Sequence, residues 1–297
     1  MLPMHLLYIT FGEGINHHLQ AAFSIYSFLV QKEDISSINV VTDAPEFYAH
    51  FQAPIRIIRV DAQTLQDWKG EHDFFWRIKI KAIEMVCGLY AGSPVMYLDT
   101  DTFCNTHIRP VRDKLLQGMA FMHEREGPLS KAKSKTEKKM WRQVKQNAFG
   151  GAAILDTDCM WNAGIVAFPN NRNKEECALA LKICDEMCAR GVTRRLIEQF
   201  ALSVSLQRVY GLEEAGSCIG HYWSNKEEWN HEIGQFFSAC YLKAYPEEKR
   251  IALMKAFDFR KLPVRKKIKT TRKRIEHFAA KAFPAKQVRF VDAHYGQ

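Results

Sequence analysis

The first hundred residues alternate between short apolar runs of strand length and stretches of helical periodicity, and no other feature constrains the fold as strongly. His5 to Phe11 is an apolar run with Ile and Thr that reads as a buried strand, and the polar loop Gly12 to His18 leads into a helical stretch near Leu19 to Gln31. Ile38 to Thr42 and Ile55 to Val60 read as strands, with a short helix over Glu46 to Phe51 between them. Phe74 to Tyr90 is helical, with Ile78, Ile83, Val86 and Leu89 along one face, and Pro94 to Leu98 is again a strand. Strands that alternate with helices imply crossover connections and a largely parallel sheet. In such sheets ligands bind beyond the carboxyl ends of the strands.

The second half is patterned differently. Lys131 to Lys145 holds seven basic residues and one Glu, which fits an exposed helix or a mobile loop. A strand over Met160 to Phe168 follows, then helical segments over Lys174 to Arg190 and Leu196 to Tyr210, a short strand before His221, and helical patterns as far as Phe257. After Tyr245-Pro246 the composition turns basic. The segment from Leu242 to Gln297 carries 16 of the 42 Lys and Arg residues and 5 of the 33 Asp and Glu residues, leaving the rest nearly neutral with 26 against 28. The expected organisation is a main domain over 1–245, with halves of about 1–105 and 106–245, and a basic extension over 246–297.

The segment most charged with chemistry is Val95-Met-Tyr-Leu-Asp99-Thr-Asp101. An apolar strand delivers two carboxylates at i and i+2, on the same side of the chain, to its own end. Two hard oxygen donors so placed suit Mg²⁺ or Mn²⁺ bound together with a diphosphate; the plainer alternative is a polar loop whose Asp side chains cap the backbone that follows.

Further segments resemble the GT-A glycosyltransferases, in particular the retaining family 8 group that includes bacterial lipopolysaccharide galactosyltransferases and glycogenin. Tyr97-Leu-Asp99-Thr-Asp101 looks like that family's metal motif, and Trp161-Asn162-Ala163-Gly164-Ile165 resembles its F-N-A-G-V segment. Ile197-Glu198-Gln199-Phe200-Ala201-Leu202 resembles its D-Q-D-A-L segment, and Gly220-His221-Tyr222-Trp223, with Lys226 and Trp229, resembles its H-Y-x-G-x-x-K-P-W segment. Arg77, in Phe74-Phe-Trp-Arg-Ile-Lys79, resembles the arginine of a Y-x-R-L segment upstream of the metal motif. Phe200 and Ser224 depart from the pattern, where the family has Asp and Gly, and Lys226 comes one residue early.

The resemblance implies an α/β fold of the GT-A, Rossmann-like type with a mixed, mostly parallel central sheet. It implies a metal, Mn²⁺ or Mg²⁺, on Asp99, Asp101 and His221, with Asn162, Glu198 and Gln199 as the catalytic, sugar-side residues. Arg77 and Lys226 would bind the diphosphate. Thr100, Glu13 and Asn16 are further candidates for nucleotide contacts, the last two because the first loop should flank the base. The activity implied is transfer of a sugar from a nucleotide diphosphate, a UDP-sugar above all, to a glycan or glycolipid acceptor, with retention at C1. An inverting enzyme would instead need a carboxylate base, for which Glu124, Glu126 or Asp156 is available.

Other readings stand beside this one. Asp-x-Asp after a strand also marks aspartyl-phosphate phosphatases, but those carry Thr or Val where this chain has Phe103. A maker of nucleotide sugars would need a Gly-rich N-terminal signature that is absent. A degenerate transferase that only binds glycan or nucleotide has no need of Asp99, Asp101 and His221 together.

Eight cysteines without a C-x-x-C pair, three of them (Cys177, Cys184 and Cys188) on one helical face, are expected to be reduced and to mark a cytoplasmic protein. The N-terminus reads as a core strand and not as a signal peptide. Arg265 to Arg274 holds seven basic residues and no acid, with Val264, Ile268, Ile275, Phe278 and Ala282 at helical spacing. A basic amphipathic helix of this kind is expected to lie on an anionic membrane surface. No nucleic-acid recognition module is recognisable, so no nucleic acid is expected as a partner.

Overall fold

The computed structural model describes residues 4–169 and 173–266, with four single positions beyond them. The chain divides into a compact unit, Met1–Val264, and a second unit, Arg265–Gln297. The basic run Arg265 to Arg274 lies almost wholly outside the described residues, so the amphipathic helix expected there is not among the elements below.

In chain order the compact unit contains β1 (Met4–Thr10), α1 (Ile15–Leu29), β2 (Ile35–Thr42), β3 (Ile55–Arg59), α2 (Ala62–Lys69), α3 (Arg77–Leu89), β4 (Val95–Leu98) and β5 (Thr102–Cys104). Then come α4 (Arg109–Leu116), β6 (Met119–Pro128), α5 (Lys135–Val144), the short pair β7 (Ala148–Phe149) and β8 (Ala152–Ala153), and β9 (Cys159–Phe168). The last elements are α6 (Asn173–Ala189), α7 (Ile197–Val209), β10 (Gly211–Glu214), β11 (Ile219–His221), α8 (Lys226–Leu242) and α9 (Glu247–Lys255).

Seven strands form one sheet in the order β10-β6-β9-β4-β1-β2-β3. Pairing is parallel from β4 through β1 and β2 to β3, and antiparallel only where β9 meets β4 and β6. The central strands are buried on both faces, which explains their unbroken apolar runs. Along β4 the side chains divide by the period of two: Val95 and Tyr97 join the core under α3, α6 and α7, and Met96 and Leu98 the core under α1 and α8.

The expected boundary at 245 is too early. Residues 246–264 belong to the compact unit, because Met254 is fully buried and Phe257 and Phe259 pack edge-on against Phe23 of α1. The basic composition of this stretch sits on its exposed side. Among the described residues no helix is long and apolar enough to cross a membrane. All eight cysteines are free, and seven are buried.

Glu176 of α6 is a buried carboxyl whose oxygens meet the hydroxyl of Ser205 at 2.8 Å and the thiol of Cys177 at 3.8 Å. Burial pushes it up to about 8 from the ordinary 4.5. Its carboxyl is neutral in both folded and unfolded chains below pH 4.5, and between there and about 8 only the unfolded chain ionises. Stability therefore falls as pH rises through that window and levels off above it. Glu176→Gln should flatten this dependence and stabilise the protein at pH 8.5 by on the order of 2 kcal/mol, read from urea unfolding at pH 5 and pH 8.5. Equal pH dependence in the two proteins would contradict it.

Candidate active site

The site is assembled around the turn that leaves β4. The backbone N–H of Asp99 donates to the carbonyl of Gly164 at 2.8 Å, continuing the β4–β9 ladder one step past Leu98. Thr102 Oγ1 donates to the Asp99 carbonyl at 2.8 Å and closes the turn. β5 then pairs with β11 so that Thr102 lies opposite His221, and Tyr222 N–H donates to the Asp101 carbonyl at 3.0 Å. A short two-stranded ladder thus brings a histidine from 120 positions along the chain beside the two aspartates.

Asp99, Asp101 and His221 each offer one ligand atom, all within 4.8 Å of one another. His221 Nε2 is 3.4 Å from Asp101 Oδ1 and 3.8 Å from Asp99 Oδ2, too far for a good hydrogen bond to the latter. On the other side of the ring, Nδ1 is 3.1 Å from Asn162 Oδ1, which can only accept. Nδ1 is therefore the donor in that contact, and Nε2 is turned toward the two carboxylates. A buried imidazole nitrogen without a hydrogen-bond partner, turned toward two carboxylates, belongs to a donor set that a divalent cation completes. Burial alone would raise the Asp101 carboxyl, but His221 and Lys226 outweigh it and hold it below the usual range.

Gly164 is where the second constraint lies. A Cβ built on it would stand 2.1 Å from His221 Cε1. The ring packs directly against the bare backbone of β9. Gly164→Ala should displace the imidazole and weaken divalent-cation binding at the cluster at least roughly tenfold, as losses of ligand-orienting groups do. Gly88→Ala, whose Cβ would meet nothing within 4 Å, is the control and should leave binding unchanged. Wild-type affinity in Gly164→Ala, measured calorimetrically, would contradict this geometry.

Two cavities meet at the cluster. One, about 310 Å³, is lined by Thr10, Phe11, His17, Tyr97 and Thr100. The other, about 450 Å³, is lined by Glu126, Asn162, Gly164, Glu198, Gln199 and Trp223, and by the first turn of α5. Trp76, Lys79, Asp99, Asp101 and Lys226 line both. Lys226, first residue of α8, reaches Asp101 Oδ2 at 2.9 Å. Thr100 Oγ1 donates to Gln20 Oε1 at 3.1 Å and faces the first cavity.

Several sequence expectations are corrected here. Arg77 does not face the site: its guanidinium forks onto Asp185 of α6 at 2.7 and 3.0 Å and donates to the Trp68 carbonyl at 2.9 Å. Two positions on, a rotation of about 200° around the helix turns Lys79 into the cleft instead. Lys79 Nζ lies 3.0 Å from Glu198 and 3.4 Å from Asp99, and donates to the Ala163 carbonyl at 3.2 Å. Burial disfavours its charge, but Asp99 and Glu198 prevail and hold it protonated. This lysine passes unnoticed in the sequence because a charged residue on an amphipathic helix looks like any solvated one.

Glu13 and Asn16 are exposed and line neither cavity; His17, one residue along, lines the first. Asn162, expected on the sugar, has its Oδ1 taken by His221 Nδ1 and by the Gly164 N–H at 3.1 Å, so it orients the histidine. Glu198 is buried against Lys79, and burial raises its carboxyl despite that partner. Gln199 donates to Glu126 Oε2 at 3.0 Å, and burial likewise raises Glu126.

No family model matches the sequence, and no curated protein sequence matches it. Among solved structures it aligns with the galactosyltransferase LgtC, in complex with donor and acceptor sugar analogs, at a TM-score of 0.53 and 13% identity, over 88% of this chain and 98% of that one. The chain has the GT-A fold. A second LgtC structure, of an active-site mutant, aligns over 71% of this chain at 14% identity and a TM-score of 0.47. Within the GT-A fold the Asp-Thr-Asp turn, His221 and both cavities lie at the carboxyl end of β4, the edge of the sheet that the strand alternation singles out for ligands.

Proposed function

We propose that this chain is a metal-dependent glycosyltransferase that moves a sugar from a UDP-sugar to a glycan or glycolipid acceptor, with retention at C1. The observation that carries the reading is the three-ligand cluster of Asp99, Asp101 and His221 at the junction of two cavities. One cavity is lined by Phe11, Phe75 and Trp76 at the end of β1, as a nucleotide slot would be; the other is polar and is lined also by half-exposed Trp76 and Trp223. The imidazole among the ligands favours Mn²⁺ over Mg²⁺. Bound there, the cation would neutralise the charge that grows on the leaving diphosphate.

The chain's own residues do the rest. Lys226, half-exposed and held at Asp101, is placed to bind the diphosphate. The Lys79–Glu198 pair presents a fixed donor and acceptor to sugar hydroxyls, and Glu126 and Gln199 face the same cavity, where an acceptor hydroxyl would approach. LgtC, as a galactosyltransferase with donor and acceptor analogs, supports this class of reaction by fold alone. The basic extension, with its net charge of +11 from Leu242 onward, supports attachment to an anionic membrane surface at the cytoplasmic face; a chain cut after Val264 should then lose binding to anionic vesicles that full-length protein keeps.

The test of the activity is a panel of nucleotide sugars incubated with the full-length protein and Mn²⁺. Metal-dependent hydrolysis of one donor is expected, with UDP-sugars ahead of GDP-sugars. Hydrolysis of none, together with no thermal shift by UDP or GDP plus metal, would sink the reading.

A further inference from the structure

Helix α1 buries more polarity than its packing needs. Phe23, Ile25 and Phe28 are its contribution to the core, yet Gln20, Ser24 and Ser27 are buried among them, each at 2% exposure or less. These three stand at i, i+4 and i+7, within a stripe of about 60° around the helix, and Gln31 follows at i+11 just past the helix end.

Each of the four is bonded to the segment that begins in the acidic turn, and the partners advance by two as the helix advances by a turn. Gln20 Oε1 accepts from Thr100 Oγ1 at 3.1 Å, and Ser24 Oγ lies 3.2 Å from Thr102 Oγ1. Ser27 Oγ accepts from the Cys104 N–H at 2.9 Å, and Gln31 Nε2 donates to the Thr106 carbonyl at 2.6 Å. A helical turn rises about 5.4 Å and two extended residues about 6.6 Å, close enough for each polar side chain to find the next partner along the strand.

The hydroxyl protons run one way. Thr102 donates to the Asp99 carbonyl at 2.8 Å, so Ser24 donates to Thr102, and Tyr8, 2.8 Å away, donates to Ser24. The chain of donors ends on the backbone of one cluster residue. Gln20 Nε2 also donates to Asn230 Oδ1 at 2.6 Å, one turn along α8 from Lys226. Because β5 carries Thr102 opposite His221, the register in which β5 lies on α1 also sets where the histidine stands.

Resting on the cation site of the transferase reading, we propose that this polar seam is the positioning device of the metal centre. Gln20 acts through Thr100 and Ser24 through Thr102, holding the acidic turn in the register at which Asp99, Asp101 and His221 converge. A satisfied polar seam specifies one arrangement of buried elements, whereas an apolar α1 face would pack on β5 without fixing its register. The seam residues are not themselves ligands of the cluster.

The test is a Mn²⁺ titration of the full-length protein without nucleotide, read from the free-ion signal in electron paramagnetic resonance. Gln20→Leu and Thr100→Val should each weaken the site about tenfold or more, as losses of ligand-orienting groups do. Thr100→Val breaks the same bond from the cavity wall, without altering the core. The double variant should lose no more than Gln20→Leu alone, to within about twofold, because the Thr100 bond is already gone. Thr100→Ser keeps the hydroxyl and should bind as wild type does; Ser24→Ala should weaken the site by a smaller factor. Urea unfolding separates this role from plain packing: a Gln20→Leu protein that loses stability but keeps wild-type Mn²⁺ affinity overturns the proposal, as do fully additive losses in the double variant. A wild-type protein that takes up no Mn²⁺ removes the cation site and the proposal with it. Wild-type binding that neither Gln20→Leu nor Thr100→Val alters removes the seam's role alone.

Discussion

Asp101→Ala is expected to abolish metal-dependent UDP binding, lowering affinity at least roughly a hundredfold and donor turnover by about a thousandfold, losses of the size seen when a charge-stabilising group leaves an active site. The reason is geometric. Asp101 is buried to 3% exposure and is the one carboxylate touched by both His221, at 3.4 Å, and Lys226, at 2.9 Å. Without it the two remaining ligands lie 3.8 Å apart, and Lys226 has no anion to hold it beside the diphosphate. The fold should survive, because the stranded Lys226 is 44% exposed and can hydrate. The Asp101 carboxyl is depressed in the folded protein, so the stabilisation it adds is present above its ordinary value of 3.8 and is lost as pH falls below it. Asp101→Asn should therefore flatten the acid limb of the unfolding curve while leaving UDP binding abolished. Calorimetry with UDP and Mn²⁺ checks the first effect; unchanged binding would remove Asp101 from the site.

Lys79→Met has the opposite profile, a large loss of stability as well as of activity. Its ammonium is the shared cation of Glu198 and Asp99, and both Lys79 and Glu198 are 8% exposed. Removing one member of a buried pair leaves an uncompensated charge and costs about 3–5 kcal/mol. Chemical denaturation should show a loss of that order at pH 7. Adding Glu198→Gln should restore much of it, since the carboxylate that was stranded is then neutral, while donor hydrolysis stays low. A Lys79→Met protein of wild-type stability would show that no charge is stranded on Glu198 when its partner is removed, and that the pair contributes nothing to stability.

These two residues illustrate how far the sequence alone reaches. Asp101 is legible because four apolar residues, Val95 to Leu98, run straight into the acidic turn, so local pattern and function coincide. His221 is not legible locally: it becomes a ligand through the β5–β11 ladder, which joins segments with no shared periodicity, and only its resemblance to a family motif points to it. Lys79 is hidden for another reason. Which of two helical cations enters a cleft depends on what stands opposite, and Arg77 is drawn away by Asp185, 108 positions on.

The strand β6 escapes pattern reading because its second half, His123 to Glu126, is polar where it borders the site. The same residues that make it useful erase its apolar signature. Composition misplaced the end of the compact unit, since basic residues at 249, 250 and 255 mask the buried Met254 and the aromatic packing of Phe257 and Phe259. The α/β alternation, in contrast, was carried by buried strands whose apolar runs need no partner to be recognised, and it gave the edge of the sheet where the site lies.

The central claim is that Asp99, Asp101 and His221 hold one divalent cation between the two cavities. Crystals of the full-length protein grown with UDP and Mn²⁺, measured at the manganese absorption edge, test it most directly. A single anomalous peak bounded by Asp99, Asp101 and His221 Nε2, with the diphosphate against it, is the predicted result. UDP bound in the first cavity with no anomalous peak at those three residues would contradict the account.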